Sequence, residues 1–277
     1  MIILKVILLA LIQGITEFLP ISSSGHLVLA QHYLGLQTDQ VTLDVILHAG
    51  TLVSILIFFR NDILALCRGF RPNSSRPAPM PISADRPDEA IQPGQARRYW
   101  GYILIAILPA GFIGALLDDW IEAHLFTLLI VSPAWIINGI NLWFMDTYLK
   151  KEKPLSPRIS LLIGLCQCIA ILPGISRSGT TIAAGVYAGL NREASARFSF
   201  LIAIPVIGGA AFLKLHQLFT TPSVYDYLTL LIGFTVSALS GYAALKLLFL
   251  LLSRRRFRVF AVYCLLLGLI TGMITYL

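Results

Sequence analysis

Gln13-Gly-Ile-Thr-Glu17-Phe-Leu-Pro20-Ile-Ser-Ser-Ser24-Gly25-His26 is a polar, ionisable cluster set inside apolar sequence. It has a partner far along the chain. Gln167-Cys-Ile-Ala-Ile-Leu-Pro173-Gly-Ile-Ser176-Arg177-Ser178-Gly179-Thr180 again runs from a Gln through Leu-Pro to a Ser-x-Ser-Gly end. The apolar runs on either side of each cluster are too short to cross a hydrocarbon core about 30 Å thick, which takes roughly 20 residues. Short hydrophobic segments interrupted by Gly or Pro mark re-entrant or broken helices, tolerated only where protein or a water-filled cavity satisfies the freed backbone. Residues 1–36 and 160–190 are therefore each expected to form a helix-loop-helix hairpin that enters and leaves on one side.

The rest of the chain sets these hairpins in a membrane. Hydrophobic residues make up 57% of the 277 positions, 13% are charged and the mean hydropathy is +0.79, which excludes an ordinary soluble globular domain. Barrel strands would alternate over about 10 residues, and no segment does so. The class expected is all-α, a polytopic integral membrane protein. The start, Met-Ile-Ile-Leu-Lys5, lacks the charged region and cleavage site of a removable signal peptide, so the first segment is expected to stay in the mature protein. Spans are expected at 43–60, 99–117, 125–147, 197–214, 227–252 and 259–277. Residues 61–98, with six prolines from Pro72 to Pro93 and six arginines from Arg68 to Arg98, read as a long, largely irregular loop.

A net charge of +7 does not point to nucleic acid, because Lys and Arg are scattered between apolar segments and form no face. They follow the positive-inside rule instead. The 61–98, 148–159 and 253–258 loops are basic, whereas 118–124 holds Asp118, Asp119 and Glu122 and no Lys or Arg. With basic loops in the cytoplasm, every loop falls on its proper side if both interrupted segments turn back. Three full spans in each place would give the same parity. Six spans plus two hairpins follow, with both termini periplasmic. The units 1–60 and 160–214, each a hairpin followed by a span, run in opposite senses and form an inverted-topology repeat within one membrane domain. Cys67, Cys166, Cys168 and Cys264 have no zinc spacing and read as small hydrophobes.

Chemistry concentrates in the two breaks. Gln13 and Glu17 lie four apart and share a helix face. A carboxylate in apolar surroundings must be paired, protonated or metal-bound, so Glu17 is either an ion-pair partner, for instance of Arg177, or a metal ligand or acid/base group. Ser22, Ser23, Ser24 and Gly25 precede one apolar run, and Ser176, Ser178, Gly179, Thr180 and Thr181 precede the other. Such residues cap helices, and the amides and dipole of a helix N-terminus also attract anions. Two such ends meeting near the midplane would cradle a phosphate, with Arg177 binding its oxygens bidentately. His26 can move a proton, ligate metal or attack phosphorus. His48 and Asp44, one turn apart on the adjoining span, are weaker candidates.

Glu17-Phe-Leu-Pro-Ile-Ser-Ser-Ser-Gly-His26, Leu47-His-Ala-Gly-Thr51, Pro173-Gly-Ile-Ser-Arg-Ser-Gly179 and Arg197-Phe-Ser-Phe-Leu-Ile-Ala-Ile-Pro205 together resemble the bacterial undecaprenyl-diphosphatases, also called bacitracin-resistance proteins. The resemblance runs from the first helix to the last. It implies hydrolysis of a polyprenyl diphosphate lipid to the monophosphate carrier used for wall polymers, in the bacterial inner membrane, at a site open to the periplasm and dependent on Mg or Ca. By motif, Glu17 would be the metal or acid/base carboxylate, Ser23 and His26 the nucleophile and base region, and Ser176, Arg177 and Thr181 the diphosphate clamp, with His48 among the substrate contacts. Many members have Glu at the position of Gln13, a better metal ligand than Gln. Glu17, with Gln13 beside it, and the substrate's phosphates would then hold the cation. Ser23 attacking with His26 as base, and His26 attacking or activating water, both remain open. A homodimer is compatible with this assignment, and a transporter or flippase of a phosphorylated lipid is the rival class.

Overall fold

The computed structural model describes residues 2–35, 40–68, 78–79, 90–91, 93–148, 152–220, 225–254 and 256–276. Each interrupted segment is a pair of helices joined by a short break. The chain opens with α1 (Ile2–Phe18), a turn at 19–22, and α2 (Ser23–Leu34), which ends on Gly35 in the left-handed conformation. The second pair is α7 (Pro157–Ile169), a break at 170–176, and α8 (Arg177–Ala188), which also ends on a left-handed glycine, Gly189. Pro20 and Pro173 explain both interruptions, since a proline lacks the N–H that continues a helix.

Between and after them run α3 (Gln40–Phe58), α4 (Arg60–Arg68), α5 (Pro93–Leu125), α6 (Leu128–Thr147), α9 (Arg192–Thr220), α10 (Tyr227–Ser253) and α11 (Arg258–Tyr276). Among the described residues five helices are long and apolar enough to cross a membrane, and a sixth counts if α3 and α4, bent by 69° at Phe59, form one span. The chain is thus an all-helical polytopic membrane protein. Its outer surface agrees: Leu104, Leu108, Phe112 and Leu116 recur every fourth residue on α5 and are 54–69% exposed, an apolar stripe that water would not tolerate.

One expectation about the loops needs correction. At the ends of the 61–98 stretch α4 extends to Arg68 and α5 begins at Pro93, with a two-residue antiparallel pairing of Ala78–Pro79 and Ala90–Ile91 between them. Most of the Pro/Arg-rich segment lies outside the described residues. Residues 118–124 are no loop at all; α5 runs through them to Leu125. Acidic residues end an apolar span without ending its helix, because a helix can project past the hydrocarbon, where charge no longer opposes it.

Packing is intertwined. α1 lies along α10, and α7 lies along α5, so each hairpin's first helix packs against a helix from the other half of the chain. α6 and α11 pack along one another, and α3 meets α9. Small residues make these approaches close, as in membrane interfaces generally. A Cβ on Gly50 of α3 would stand 2.5 Å from the Phe234 carbonyl oxygen of α10, and one on Gly164 of α7 would stand 2.5 Å from the Ala106 carbonyl oxygen of α5. Gly50→Ala must push two backbones apart and is expected to cost about 1–3 kcal/mol, lowering the thermal midpoint in detergent. An unchanged midpoint would show that this interface yields.

Candidate active site

The two breaks are joined by one helix. From α6, Trp135 Nε1 donates to the Ile21 carbonyl (2.9 Å), and Asn138 Nδ2 donates to the Pro20 carbonyl (2.9 Å). The same Asn138 accepts through Oδ1 from the Ser176 amide (3.3 Å). One buried amide therefore satisfies backbone groups of both interruptions. A polar Asn within a mostly apolar span marks a position that needs a partner, though Asn141 on the same helix carries the same mark.

Both breaks end in the same cap. Ser22 Oγ accepts from the Gly25 amide at 3.3 Å and lies 3.2 Å from Ser24 Oγ. Ser176 Oγ accepts from the Gly179 amide at 3.1 Å and lies 3.1 Å from Ser178 Oγ. The repeated Ser-x-Ser-Gly is thus a capping device, with the cap serine satisfying the third helical amide. It leaves Ser23 and Arg177 at the same place, the first residue of α2 and of α8. Gly25 and Gly179 permit close approach: a Cβ would come 2.9 Å from the Trp135 ring at Gly25 and 3.2 Å from Pro20 at Gly179.

Glu17, in the last turn of α1, is where these elements converge. Its Oε2 accepts from Ser23 Oγ at 2.6 Å and from Gln13 Nε2 at 3.0 Å, and His48 Nε2 of α3 stands 3.8 Å away. Its Oε1 accepts from Arg177 Nη2 at 2.6 Å, across 160 residues of sequence. The Glu17 side chain is 6% exposed and that of Arg177 17%. Such a pair survives burial because each charge would be left uncompensated without the other. Among the side chains that bond Glu17, two buried polar atoms have no partner: Arg177 Nη1, a donor, and Gln13 Oε1, an acceptor. A buried, unused guanidinium donor beside a carboxylate-bound serine is an arrangement suited to an anion.

A cavity of about 340 Å³ opens over this group. Glu17, Ser23, His48 and Arg177 line one part of it, together with Ser22, Ser24 and Ser176. Its other walls are largely apolar, with Val28, Ile171, Ile175 and Ile207, and Lys214 stands at its edge. It therefore offers charge and hydrocarbon in one space.

Asp44 also lines the cavity and accepts from Gln31 Nε2 (3.3 Å), whereas Ser178, Thr180, Thr181 and His26 are not on it. Ser178 Oγ donates to the Leu19 carbonyl (3.4 Å), and Thr180 joins the α8 ladder through its amide to the Ser176 carbonyl (2.9 Å). Thr181 Oγ1 donates to the Arg177 carbonyl (2.8 Å) and lies 2.6 Å from Ser199 Oγ. His26 departs furthest from the sequence reading. Its Nδ1 bonds the Ser22 carbonyl (2.7 Å), its Nε2 lies 2.8 Å from the Tyr263 hydroxyl of α11, and it does not meet Ser23. Ser23, at the first helical position, points back to α1, whereas the imidazole lies toward α6 and α11. Sequence proximity paired Ser23 with His26, whereas the side chain that Ser23 meets is Glu17. Tyr263 and Asn138 were missed because no local pattern ties them to either break.

Comparison with known proteins follows the same residues. A family model described as bacitracin resistance protein BacA matches residues 6–270. The chain belongs to the BacA family. Its relatives include the undecaprenyl-diphosphatase of Halothermothrix orenii, 39% identical over 271 residues that cover 96% of each chain. The undecaprenyl-diphosphatase of Methanobrevibacter smithii is 38% identical over 282 residues, or 99% of each chain. That of Alteromonas mediterranea is 37% identical over 272 residues, or 95% of each. A BacA-family identity thus spans the hairpins, the intervening helices and the cavity together.

Proposed function

We propose that this BacA-family chain hydrolyses undecaprenyl diphosphate to undecaprenyl phosphate and inorganic phosphate, recycling the carrier lipid for wall synthesis. The observation that supports it most is the Ser23–Glu17–Arg177 constellation at the charged part of a cavity whose other walls suit a lipid. The diphosphate enters between the two breaks while the polyprenyl chain lies along the apolar walls. Ser23 Oγ attacks the terminal phosphorus as Glu17 takes its proton. A Ser23 O–P bond forms, the bridging P–O bond breaks, and lipid monophosphate leaves. Water then attacks the phosphoserine, releasing phosphate and returning the proton to Ser23. Arg177 Nη1 and the first amides of α2 and α8 neutralise charge on the phosphoryl oxygens, the main source of catalysis in such transfers.

A divalent cation, Mg or Ca, fits beside this group in a limited way. No cluster of three His, Cys, Asp or Glu side chains stands together among the described residues. The unpartnered Gln13 Oε1 and the Glu17 carboxylate are hard oxygen donors of the kind such ions select, and the substrate's phosphates would complete the set. When bound, the ion supplies charge neutralisation at the phosphates. Gln13→Glu adds an anionic ligand and is expected to tighten Mn binding, followed by electron paramagnetic resonance, about 10-fold or more. Unaltered binding would remove Gln13 from the cation's surroundings.

The finer topology belongs to the same proposal: six crossings, two re-entrant hairpins in inverted repeat, both termini periplasmic and the cavity open to the periplasm of the inner membrane. In its support, Arg192 pairs with Asp146 (2.8 Å), Arg258 reaches Asp146 (3.5 Å) and Arg197 pairs with Asp62 (3.3 Å), gathering cations at the ends of α4, α6, α9 and α11. Labelling of Ser24→Cys by an impermeant thiol reagent in intact cells tests the opening; protection there with reaction in inverted vesicles would reverse it. For the activity, purified protein given undecaprenyl diphosphate and Mg should release phosphate. No release with any cation would leave lipid transport, the rival that broken helices also suit. Protein denatured with detergent at neutral to alkaline pH should hold the label of terminally labelled substrate on Ser23 in an acid-stable form, and acid-labile label on His26 would reassign the nucleophile.

A further inference from the structure

We infer that His26 and Tyr263 act as a positioning pair that aims Ser23, and that His26 neither takes the serine's proton nor attacks phosphorus. The inference rests on the hydrolase reading above and concerns how its nucleophile is held. It begins at Ser22, the one described non-glycine residue with positive φ (70°, ψ 99°). An L-residue avoids that region, because its Cβ crowds the backbone, and it is kept there only by surrounding contacts. Ser22 needs the conformation because the chain must turn sharply after Pro20 and still present Ser23 at the first position of α2, facing Glu17.

What secures Ser22 is largely His26. The Ser22 carbonyl accepts from the His26 amide (3.3 Å) and lies 2.7 Å from His26 Nδ1. A carbonyl can only accept, so Nδ1 carries the proton. In the neutral ring Nε2 then holds the lone pair, and the Tyr263 hydroxyl, 2.8 Å away, donates to it. The ring is fixed on further sides: the Trp135 ring meets it edge-on at 5.1 Å, and the Tyr263 ring lies parallel within 6°. Trp135 in turn bonds the Ile21 carbonyl, the residue before Ser22. Both imidazole nitrogens are thus engaged away from Glu17, and the basic one faces α11. A base for Ser23 would need that lone pair on the serine. Instead the serine proton goes to Glu17 at 2.6 Å.

An asparagine at position 26 can present its amide N–H where Nδ1 stands, whereas a glutamine presents one near Nε2 and abandons the Ser22 carbonyl. His26→Asn should therefore keep phosphate release within about 10-fold of the parent, and His26→Gln should fall about 10-fold further, through kcat with KM unchanged. Tyr263→Phe, which deletes only the hydroxyl, should lower kcat by about 10-fold or less with KM unchanged. Thermal midpoints in detergent identify any variant that fails to fold, and Tyr263→Phe then carries the test alone. Folded His26→Asn as inactive as His26→Gln, His26→Gln more active than His26→Asn, or Tyr263→Phe equal to the parent in kcat would each overturn the inference. A parent protein that releases no phosphate would overturn the hydrolase reading instead, so the two failures are distinct.

Discussion

Arg177→Ala should lower kcat for phosphate release by about 1,000-fold, the scale on which a preorganised donor to a developing charge acts. The residue has two duties. Nη2 holds Glu17 Oε1, and Nη1 is buried with no partner until an anion arrives. Removing the side chain also strands a carboxylate that is 6% exposed, at a cost of about 3–5 kcal/mol when one member of a buried pair is lost. Activity and stability therefore fall together, and a second substitution separates them. Glu17→Gln placed in the Arg177→Ala background removes the stranded charge, so the thermal midpoint should recover while phosphate release stays low. Because Glu17→Gln also removes the base, activity is read on Arg177→Ala alone: a folded Arg177→Ala that kept the parent's kcat would make Arg177 a structural counter-ion and nothing more. Arg177→Lys keeps the charge but not the planar fork, and should remain well below the parent.

Glu17→Gln alone should cost about 100- to 10,000-fold in kcat, the range associated with a general base. The exchange keeps the side chain's shape and leaves the Ser23 hydroxyl a neutral oxygen to bond, but that oxygen cannot take its proton. It also leaves Arg177 without its anion, so substrate affinity should hold or rise as the guanidinium turns fully to phosphate. The expected signature is a fall in kcat with KM unchanged or lower. A rise in KM at constant kcat would instead assign Glu17 to binding, in keeping with a cation held through its carboxylate.

The fold class was legible because membrane helices are written in composition and length, and the two interruptions because Pro20 and Pro173 stand in apolar sequence that otherwise reads as helix. The pairing of Glu17 with Arg177 was legible too, as one of two fates open to a carboxylate in hydrocarbon. Other features were not. Periodicity identifies a helix face but not the helix it meets, so Asn138 and Tyr263 stayed invisible as partners of breaks more than a hundred residues away from one or both of them. Ser23 was matched to His26 because they are three residues apart on one helix, whereas the first helical position turns its side chain back across the break. The acidic stretch at 118–124 looked like a turn because charge ends a span, although it need not end a helix.

The long-range tie between Glu17 and Arg177 also bears on biosynthesis. The carboxylate leaves the ribosome 160 residues before its cation. At about 5–20 residues per second, translation leaves Glu17 unpartnered by Arg177 for on the order of 10 s. A bare carboxylate is costly at that depth, so the first hairpin must wait at the interface or protonated until the second arrives. A nascent chain cut short before position 177 holds Ser23 and Glu17 yet lacks Arg177, so on the mechanism proposed above the enzyme acquires its chemistry only as its second half is inserted.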